Sequence, residues 1–344
     1  ASFFRLRGLD TDNAIVMING LPMNKLYSGR PQWSNWGGLN DVLRNQELSP
    51  PIAPSGYALG AALGTTNMST RAAEYPKGGR LTASFSDRSY NYRLLASYGT
   101  GPMKKNWSAA FAVGKRWGHS GFQEGTFYDA QSLFVAVEKQ WSNHSLNATV
   151  ISTPNRRGKS SPNTQEAYDL KGTKYNEYWG WQDGLLRNSR VRRTFEPIFQ
   201  LNHKWALSSS TTLYTNIGFQ FGEVGNSRLD YPGGANPSPA YYQKLPSYFF
   251  TQNAGPDYEG AYRYTQKFKQ QGQLDWNSLY DANHTNNINS LPAAYVLYED
   301  RNDDTQLSLQ TKLQTEVSDK ITLIGLLQHT SFSSQNFAQL TDML

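Results

Sequence analysis

Four side chains within the segment YSGRPQWSNW are the residue types in this chain best suited to recognising a ligand: Tyr27, Arg30, Trp33 and Trp36. Indole and phenol rings offer flat apolar faces, and a guanidinium offers a planar fork of donors for a carboxylate. Trp33 and Trp36 have the faces to stack on a sugar or an aromatic chelate, with Arg30 available to an acid group. The same rings could equally pack this Gly- and Pro-containing loop against a neighbouring wall, and the sequence leaves both uses open.

Catalytic chemistry is sparse. There is no cysteine, hence no thiol nucleophile, zinc-thiolate site or disulfide framework. The five histidines, 119, 144, 203, 284 and 329, are far apart and never in a metal-site spacing. TPNRRGKS, residues 153–160, ends like a phosphate-binding loop but has Thr153 where that loop needs its first glycine. GHSG, residues 118–121, lacks the spacing of a nucleophile elbow. Glu299, Asp300, Asp303 and Asp304 have the oxygens for calcium, but Arg301 stands among them and local ion pairs at a strand end are the simpler reading. No enzyme, metal or cofactor is expected.

The elements that must hold these residues follow from a conflict in composition. The 344 residues include 9 Trp, 21 Tyr and 16 Phe, yet only 38% of the chain is apolar and the mean hydropathy is −0.64. An ordinary water-soluble core draws on about 45–50% apolar residues. The longest apolar run, Ala293 to Tyr298, is six residues, against roughly 20 for a membrane-spanning helix. A transmembrane β-barrel reconciles the two, because its strands alternate lipid-facing apolar and lumen-facing polar residues.

That alternation recurs nine times from Gly79 onward: around 81–86, 91–98, 107–113, 133–141, 146–150, 195–205, 213–221, 306–314 and, less cleanly, 321–330. Short connections at 99–106, 142–144, 208–211 and 317–320 alternate with long ones at 118–132, 153–194 and 222–304. Outer-membrane barrels have this asymmetry of short periplasmic turns and long extracellular loops. Tyr98, Trp107, Trp141 and Trp205 all fall beside the short turns, where an interfacial aromatic girdle belongs. In a soluble sandwich the same rings would cap a core. Nine strands would leave a barrel open, so the chain is expected to be part of a larger one.

The first 78 residues differ. Ala14 to Ile18 is a short apolar strand running into an Asn19-Gly20 turn, and 39–47 is expected to form a brief helix. FRLRGLDTDNAIVMINGLPMN, residues 4–24, resembles the plug motif of TonB-dependent outer-membrane receptors. SGYALGAALGTTNMSTR, residues 55–71, is similar to the plug's closing segment. Further stretches resembling one large receptor subfamily include EGTFYDA (124–130), TPNRRGK (153–159), YWGWQDG (178–184), YYQKLPSY (241–248) and LYEDRNDD (297–304). Asn19 stands where the family's turn usually has Asp.

The resemblance implies a mainly β fold: a mixed α/β plug, 1–78, inside a 22-stranded antiparallel transmembrane barrel, of which 79–344 would supply the first nine or so strands. It implies active import of a scarce ligand, such as an iron chelate, glycan or peptide, across the Gram-negative outer membrane. TonB would act through a segment preceding Ala1, and the plug loop bearing Tyr27, Arg30, Trp33 and Trp36 would share the ligand with barrel loops. The alternative is a receptor-like barrel acting as a docking subunit for a surface lipoprotein or another outer-membrane protein, using the Tyr-rich 241–264. Residues 153–196 carry nine Lys or Arg against five Asp or Glu. That balance suits lipopolysaccharide phosphates better than nucleic acid, which is not an expected partner.

Overall fold

The computed structural model describes Arg5, Ala53 and residues 8–51, 55–58 and 60–344. Arg7 and Leu59, in the two plug-like segments, lie outside the described residues.

Residues 8–77 build a small sheet from β1 (Ile15–Ile18), β2 (Leu21–Pro22), β3 (Gln46–Ser49) and β4 (Thr65–Met68), in the order β2-β1-β4-β3. β1 and β4 run parallel, with Ile15 beside Thr65 and Ile18 beside Met68. Asn19 and Gly20 have φ of 50° and 84°, the left-handed pair that a two-residue hairpin turn requires. A side chain at Gly20 would meet Gln310 Oε1 at 2.8 Å, so the turn tip must be bare to lie against the large sheet. The helix expected over 39–47 does not form. Val42 and Leu43 close one turn onto the Leu39 carbonyl at 3.0 and 3.1 Å, burying all three apolar side chains. The chain then extends into β3, because Gln46–Ser49 pairs with β4.

The remainder is an eleven-stranded antiparallel sheet. Nine strands follow one another as a meander: β5 (Gly78–Phe85), β6 (Tyr92–Gly99), β7 (Trp107–Gly118), β8 (Tyr128–Trp141), β9 (His144–Ser152), then β14 (Ile198–Ala206), β15 (Thr211–Asp230), β16 (Val296–Ser318) and β17 (Ile321–Asp342). Each coincides with one of the alternating stretches, and β15 to β17 run well past them. The sixth stretch is two strands, not one. Pro154 separates β9 from β10 (Asn155–Gly158), and Pro197 separates β13 (Val191–Phe195) from β14. Proline has no N–H for the ladder, yet β10 still pairs β8 and β13, and β13 pairs β15. The long connections are structured: they hold the hairpin β11 (Trp179–Gln182) and β12 (Leu185–Asn188) with helices α1 (Gln165–Lys171), α2 (Pro246–Phe250), α3 (Tyr258–Gln270) and α4 (Trp276–Ile288). No described helix is long and apolar enough to cross a membrane.

The polarity of the large sheet is inverted relative to a soluble one. Asn147, Thr149, Gln200, Asn202, Asn216 and Gln310 on one face are buried. Leu133, Phe199, Ile217, Phe219, Leu307 and Leu309 on the other are exposed. The N-terminal domain covers the polar face. Asn19 Nδ2 donates to Gln200 Oε1 at 2.9 Å and Asn202 Oδ1 at 3.0 Å, and Gln310 Nε2 donates to the Gly20 carbonyl at 2.7 Å. Arg71 donates to Glu138 at 2.6 Å, and Lys312 to the Gly56 carbonyl at 2.9 Å. A narrow apolar patch of Leu95, Ala110, Ala112, Phe134, Ile151 and Ile198 joins Val16, Leu21, Trp36 and Leu39 in one core.

The apolar outer face has edges. At the short turns His144 stacks between Trp141 and Trp205, with ring centroids 5.6 and 5.2 Å away, and Lys139 sits 5.3 Å from the Trp107 ring. Towards the long loops, the outward positions after Phe221 and Leu307 turn charged: Arg193, Glu223, Glu299 and Arg301 interlock as ion pairs. From Leu213 to Phe221 the strand rises roughly 27 Å at ~3.4 Å per residue, which a tilt of ~35–45° projects to roughly 19–22 Å, a little under the ~25 Å apolar band of outer-membrane barrels. β5 and β17 are the sheet's two edges, each hydrogen-bonded to one neighbouring strand. In the full-length protein folded into lipid vesicles, Ile217→Arg is expected to cost about 2–4 kcal/mol in a denaturant titration; a cost near zero would mean that this face meets water.

Candidate functional site

The N-terminal domain meets the sheet at the long-loop end through the loop 24–38, and the sequence dictates the loop's shape. Asn24 accepts from the Val16 amide at 2.9 Å and donates to the carbonyls of Ala14 and Gly29 at 2.8 and 2.7 Å. Gly29 has φ 66°, with Asp12 Cβ only 2.9 Å from where a side chain would begin, so the tight turn admits no larger residue. Trp33–Trp36 is a single 3-10 turn. It is held by Ser132, which donates to the Gly37 carbonyl at 2.9 Å, by Arg93, which donates to Gly38 at 3.1 Å, and by Thr153, which donates to Ser34.

This arrangement separates the four residues singled out from the sequence. Trp36 is buried, only 6% exposed, within the shared core. Trp33, packed edge-on against it at 5.6 Å, is 56% exposed. Tyr27 is 63% exposed, with its ring 6.0 Å from Phe332 of β17. Arg30 lies 3.9 Å from Asp10. Trp36 thus serves packing, while Tyr27, Arg30 and Trp33 border open space.

Beneath the loop lies a buried ionic cluster that residue types alone did not reveal. Lys25 pairs with Glu196 and, at 3.0 Å, with Asp304; all three side chains are nearly inaccessible. Asn35 donates to the second Glu196 oxygen at 3.0 Å. The Glu196 position was legible in hindsight, since it shares the inward parity of Gln200 and Asn202. Asp304 belongs to the acidic run considered for calcium. Its neighbours are each in ion pairs: Asp300 with Arg228 at 2.7 Å, Asp303 with Arg301 at 2.9 Å, and Glu299 with Arg193 at 3.0 Å. No metal-binding cluster occurs among the described residues.

Around the loop the sheet adds a basic rim. β10 and β13 set Arg157 directly opposite Arg192, a like-charge cross-strand pair that is unfavourable by itself. Arg192 donates to Gln32 at 3.2 Å, and Lys159 to Asn226 at 2.6 Å. Burial pushes the Lys159 ammonium below its ordinary pKa, and Arg192, Arg157 and Arg190 push it further. Among the described residues, Arg157, Lys159, Arg190 and Arg192 make no salt bridge, unlike the outward-facing Arg193 and Arg301. The phosphate-loop resemblance of 153–160 ends here, because Arg156 and Arg157 are in a β ladder, not a loop opening a helix. Ser120 of the GHSG turn donates to the Gln123 carbonyl at 2.9 Å, so it is not poised as a nucleophile.

An antiparallel wall of inverted polarity thus carries a small β-sheet unit on its polar face, built with 3-10 turns rather than the α/β mixture expected from the sequence, and has charged residues at the long-loop end. No family model and no curated protein matches the chain. Solved structures do. The ferric-catecholate import receptor Fiu from E. coli K12 in its open form is 12% identical, with a TM-score of 0.56 over 99% of this chain and 46% of that chain. Its closed form is 13% identical, with a TM-score of 0.56 over 97% and 41%. The ferripyoverdine receptor of the Pseudomonas aeruginosa outer membrane, bound to ferripyoverdine, is 11% identical, with a TM-score of 0.54 over 99% and 39%. At these identities the likeness is one of fold, and it is to the kind of receptor that the sequence motifs resemble. The chain spans less than half the length of these three receptor chains.

Removing Lys25 would leave two carboxylates buried without a cation. Lys25→Met is expected to weaken seating of the N-terminal domain by about 3–5 kcal/mol, read as faster proteolysis of residues 8–77, and adding Glu196→Gln with Asp304→Asn should restore most of it. Burial alone would lower the Lys25 pKa, but the two carboxylates outweigh it and the net shift is upward from 10.5. The pairing therefore stabilises fully below pH 10.5 and is lost only as pH climbs beyond it; loss of seating near neutral pH would contradict this.

Proposed function

We propose that the chain is the plug and the first barrel strands of an outer-membrane receptor that imports a scarce, anionic ligand with energy supplied through TonB. Pairing of the exposed edges of β5 and β17 with further strands closes the barrel, since unpaired backbone groups in hydrocarbon each cost several kcal/mol. The observation that carries the ligand assignment is the rim of Arg157, Lys159, Arg190 and Arg192, four inward-facing cations without a salt bridge among the described residues, which reaches the loop of Tyr27, Arg30 and Trp33 through Arg192 and Gln32. An anion entering there relieves their mutual repulsion, and the exposed rings give it a flat surface on which to stack. A ferric chelate with acidic and aromatic groups fits this chemistry, and the structural neighbours are receptors for ferric-catecholate and ferripyoverdine. No step of covalent chemistry is required: the ligand is bound, the domain seated by Lys25 shifts under the pull, and the polar inner face becomes the path.

A second reading, a docking subunit for a surface protein, draws on the exposed Tyr242, Tyr258 and Tyr262 of the longest loop. Stable copurification of a partner without any uptake phenotype would favour it.

Iron-starved cells producing the full-length protein should accumulate iron-55 from catecholate or pyoverdine chelates, and a proton uncoupler should abolish the uptake. Arg157→Glu with Arg192→Glu should reduce uptake at limiting ligand at least about tenfold, the effect of ~1.4 kcal/mol. Uptake that ignores both the uncoupler and the charge reversal would contradict the proposal.

A further inference from the structure

The longest loops fold into a compact cap with its own cavity of about 560 Å³, between α3, the start of α4, the β11–β12 hairpin and the segment 236–239. None of the mouth residues lines it, and its volume is within the ~300–1,000 Å³ usual for small-molecule sites. Its walls are fixed. Leu274, just before α4, donates its amide to the Trp179 carbonyl at 2.9 Å. At Gly180 any side chain would strike the Leu274 carbonyl at 1.8 Å, so hairpin and helix are locked together by backbone contact.

Four aromatic side chains line that cavity, the buried Phe268 and Tyr295 and the more open Trp181 and Tyr264. Trp181 is 58% exposed and braced edge-on by buried Trp179, centroids 5.6 Å apart. Tyr264 is braced by Phe249 at 4.5 Å. The lining also holds the amides of Asn236 and Gln271, each able to donate and accept. Two cations complete the lining: Lys267, and Lys244, whose Nζ is held on the carbonyls of Asn236 and Ser238 at 2.6 and 3.1 Å. Neither lysine forms a salt bridge among the described residues. The one carboxylate in the lining, Asp275, is occupied in capping α4, accepting from the Ser278 amide at 3.1 Å and hydroxyl at 2.6 Å.

Ring faces suit the C–H faces of pyranose rings, side-chain amides suit vicinal hydroxyls, and unneutralised ammonium groups suit a carboxylate. We propose that this cap cavity is a second ligand site, separate from the mouth, that binds an acidic oligosaccharide. Burial and the neighbouring Lys267 hold the Lys244 pKa below its ordinary value, a strain that a bound carboxylate would remove.

The test uses the full-length protein in detergent, with trigalacturonate as the acidic probe and cellotriose and inorganic phosphate as controls. Binding is followed by calorimetry and by tryptophan fluorescence, for which Trp181 is a reporter inside the site. Trigalacturonate should bind at least about tenfold more tightly than cellotriose or phosphate, and Trp181→Ala and Lys267→Glu, both at surface positions, should each weaken it by about that factor. Arg192→Glu at the mouth should leave it unchanged, so this site and the mouth fail independently. Equal binding of cellotriose would overturn the acidic class. Phosphate binding as tightly as trigalacturonate would reduce the site to a lysine pair with no sugar specificity, and no effect of Trp181→Ala would place the binding elsewhere.

Discussion

Everything in this structure depends on which face of the large sheet is dry. The strands put amides, hydroxyls and a few charges inward and leucine, valine and phenylalanine outward, so the sheet cannot be stabilised by an apolar core of its own. Its inner face needs a polar partner, and the N-terminal domain supplies one through Asn19, Gly20 and Arg71. Its outer face needs an apolar medium, and the rings at one edge with the ion pairs at the other mark where that medium ends. Domain and wall are therefore mutually dependent: neither has a complete interior without the other.

Seating by polar contacts has a functional consequence. A domain docked by a large apolar interface would be hard to move, because displacing it would expose that surface to water. Hydrogen bonds to Gln200, Asn202 and Gln310 can be exchanged for bonds to water at small net cost, so that part of the interface can slide or hydrate. Two contacts resist more: the apolar patch that Leu21, Trp36 and Leu39 share with Leu95, Phe134 and Ile198, and the dry ionic contact of Lys25 with Glu196 and Asp304, whose loss is expensive. The ionic contact concentrates resistance at the long-loop end, beneath the loop that carries Tyr27, Arg30 and Trp33. An anion bound as proposed would alter the field of the rim and so act on the contact that holds the domain in place.

The strands were legible because period-two alternation survives averaging over strands with any turn chemistry, and Trp107, Trp141 and Trp205 marked the turn ends. The N-terminal hairpin was legible from Asn19-Gly20. What escaped was set by tertiary context. Leu39, Val42 and Leu43 have helical spacing, but one turn already buries them and β4 claims the next residues. Pro197 interrupts a strand whose inward parity nevertheless continues from Glu196 to Ile198, so the split was invisible in the pattern. The loops were visible only as length; their helices and the cap cavity depend on contacts between residues as distant as Gly180 and Leu274. Of the four residues picked for binding, Trp36 could be told from Trp33 only once the 3-10 turn showed which ring faces the core.

The central claim is the polarity of the sheet, and since these 344 residues hold no cysteine, labels placed there, with any cysteine elsewhere in the protein replaced by serine, measure it directly. Single cysteines placed in turn at positions 306 to 313 of β16, in the full-length protein in outer-membrane vesicles, can each carry a nitroxide label. Collision rates with oxygen, which partitions into lipid, should peak at 307, 309, 311 and 313 and fall at 306, 308, 310 and 312, where the N-terminal domain covers the wall. A flat profile, or maximal collision with a water-soluble relaxer at the leucine positions, would contradict the account.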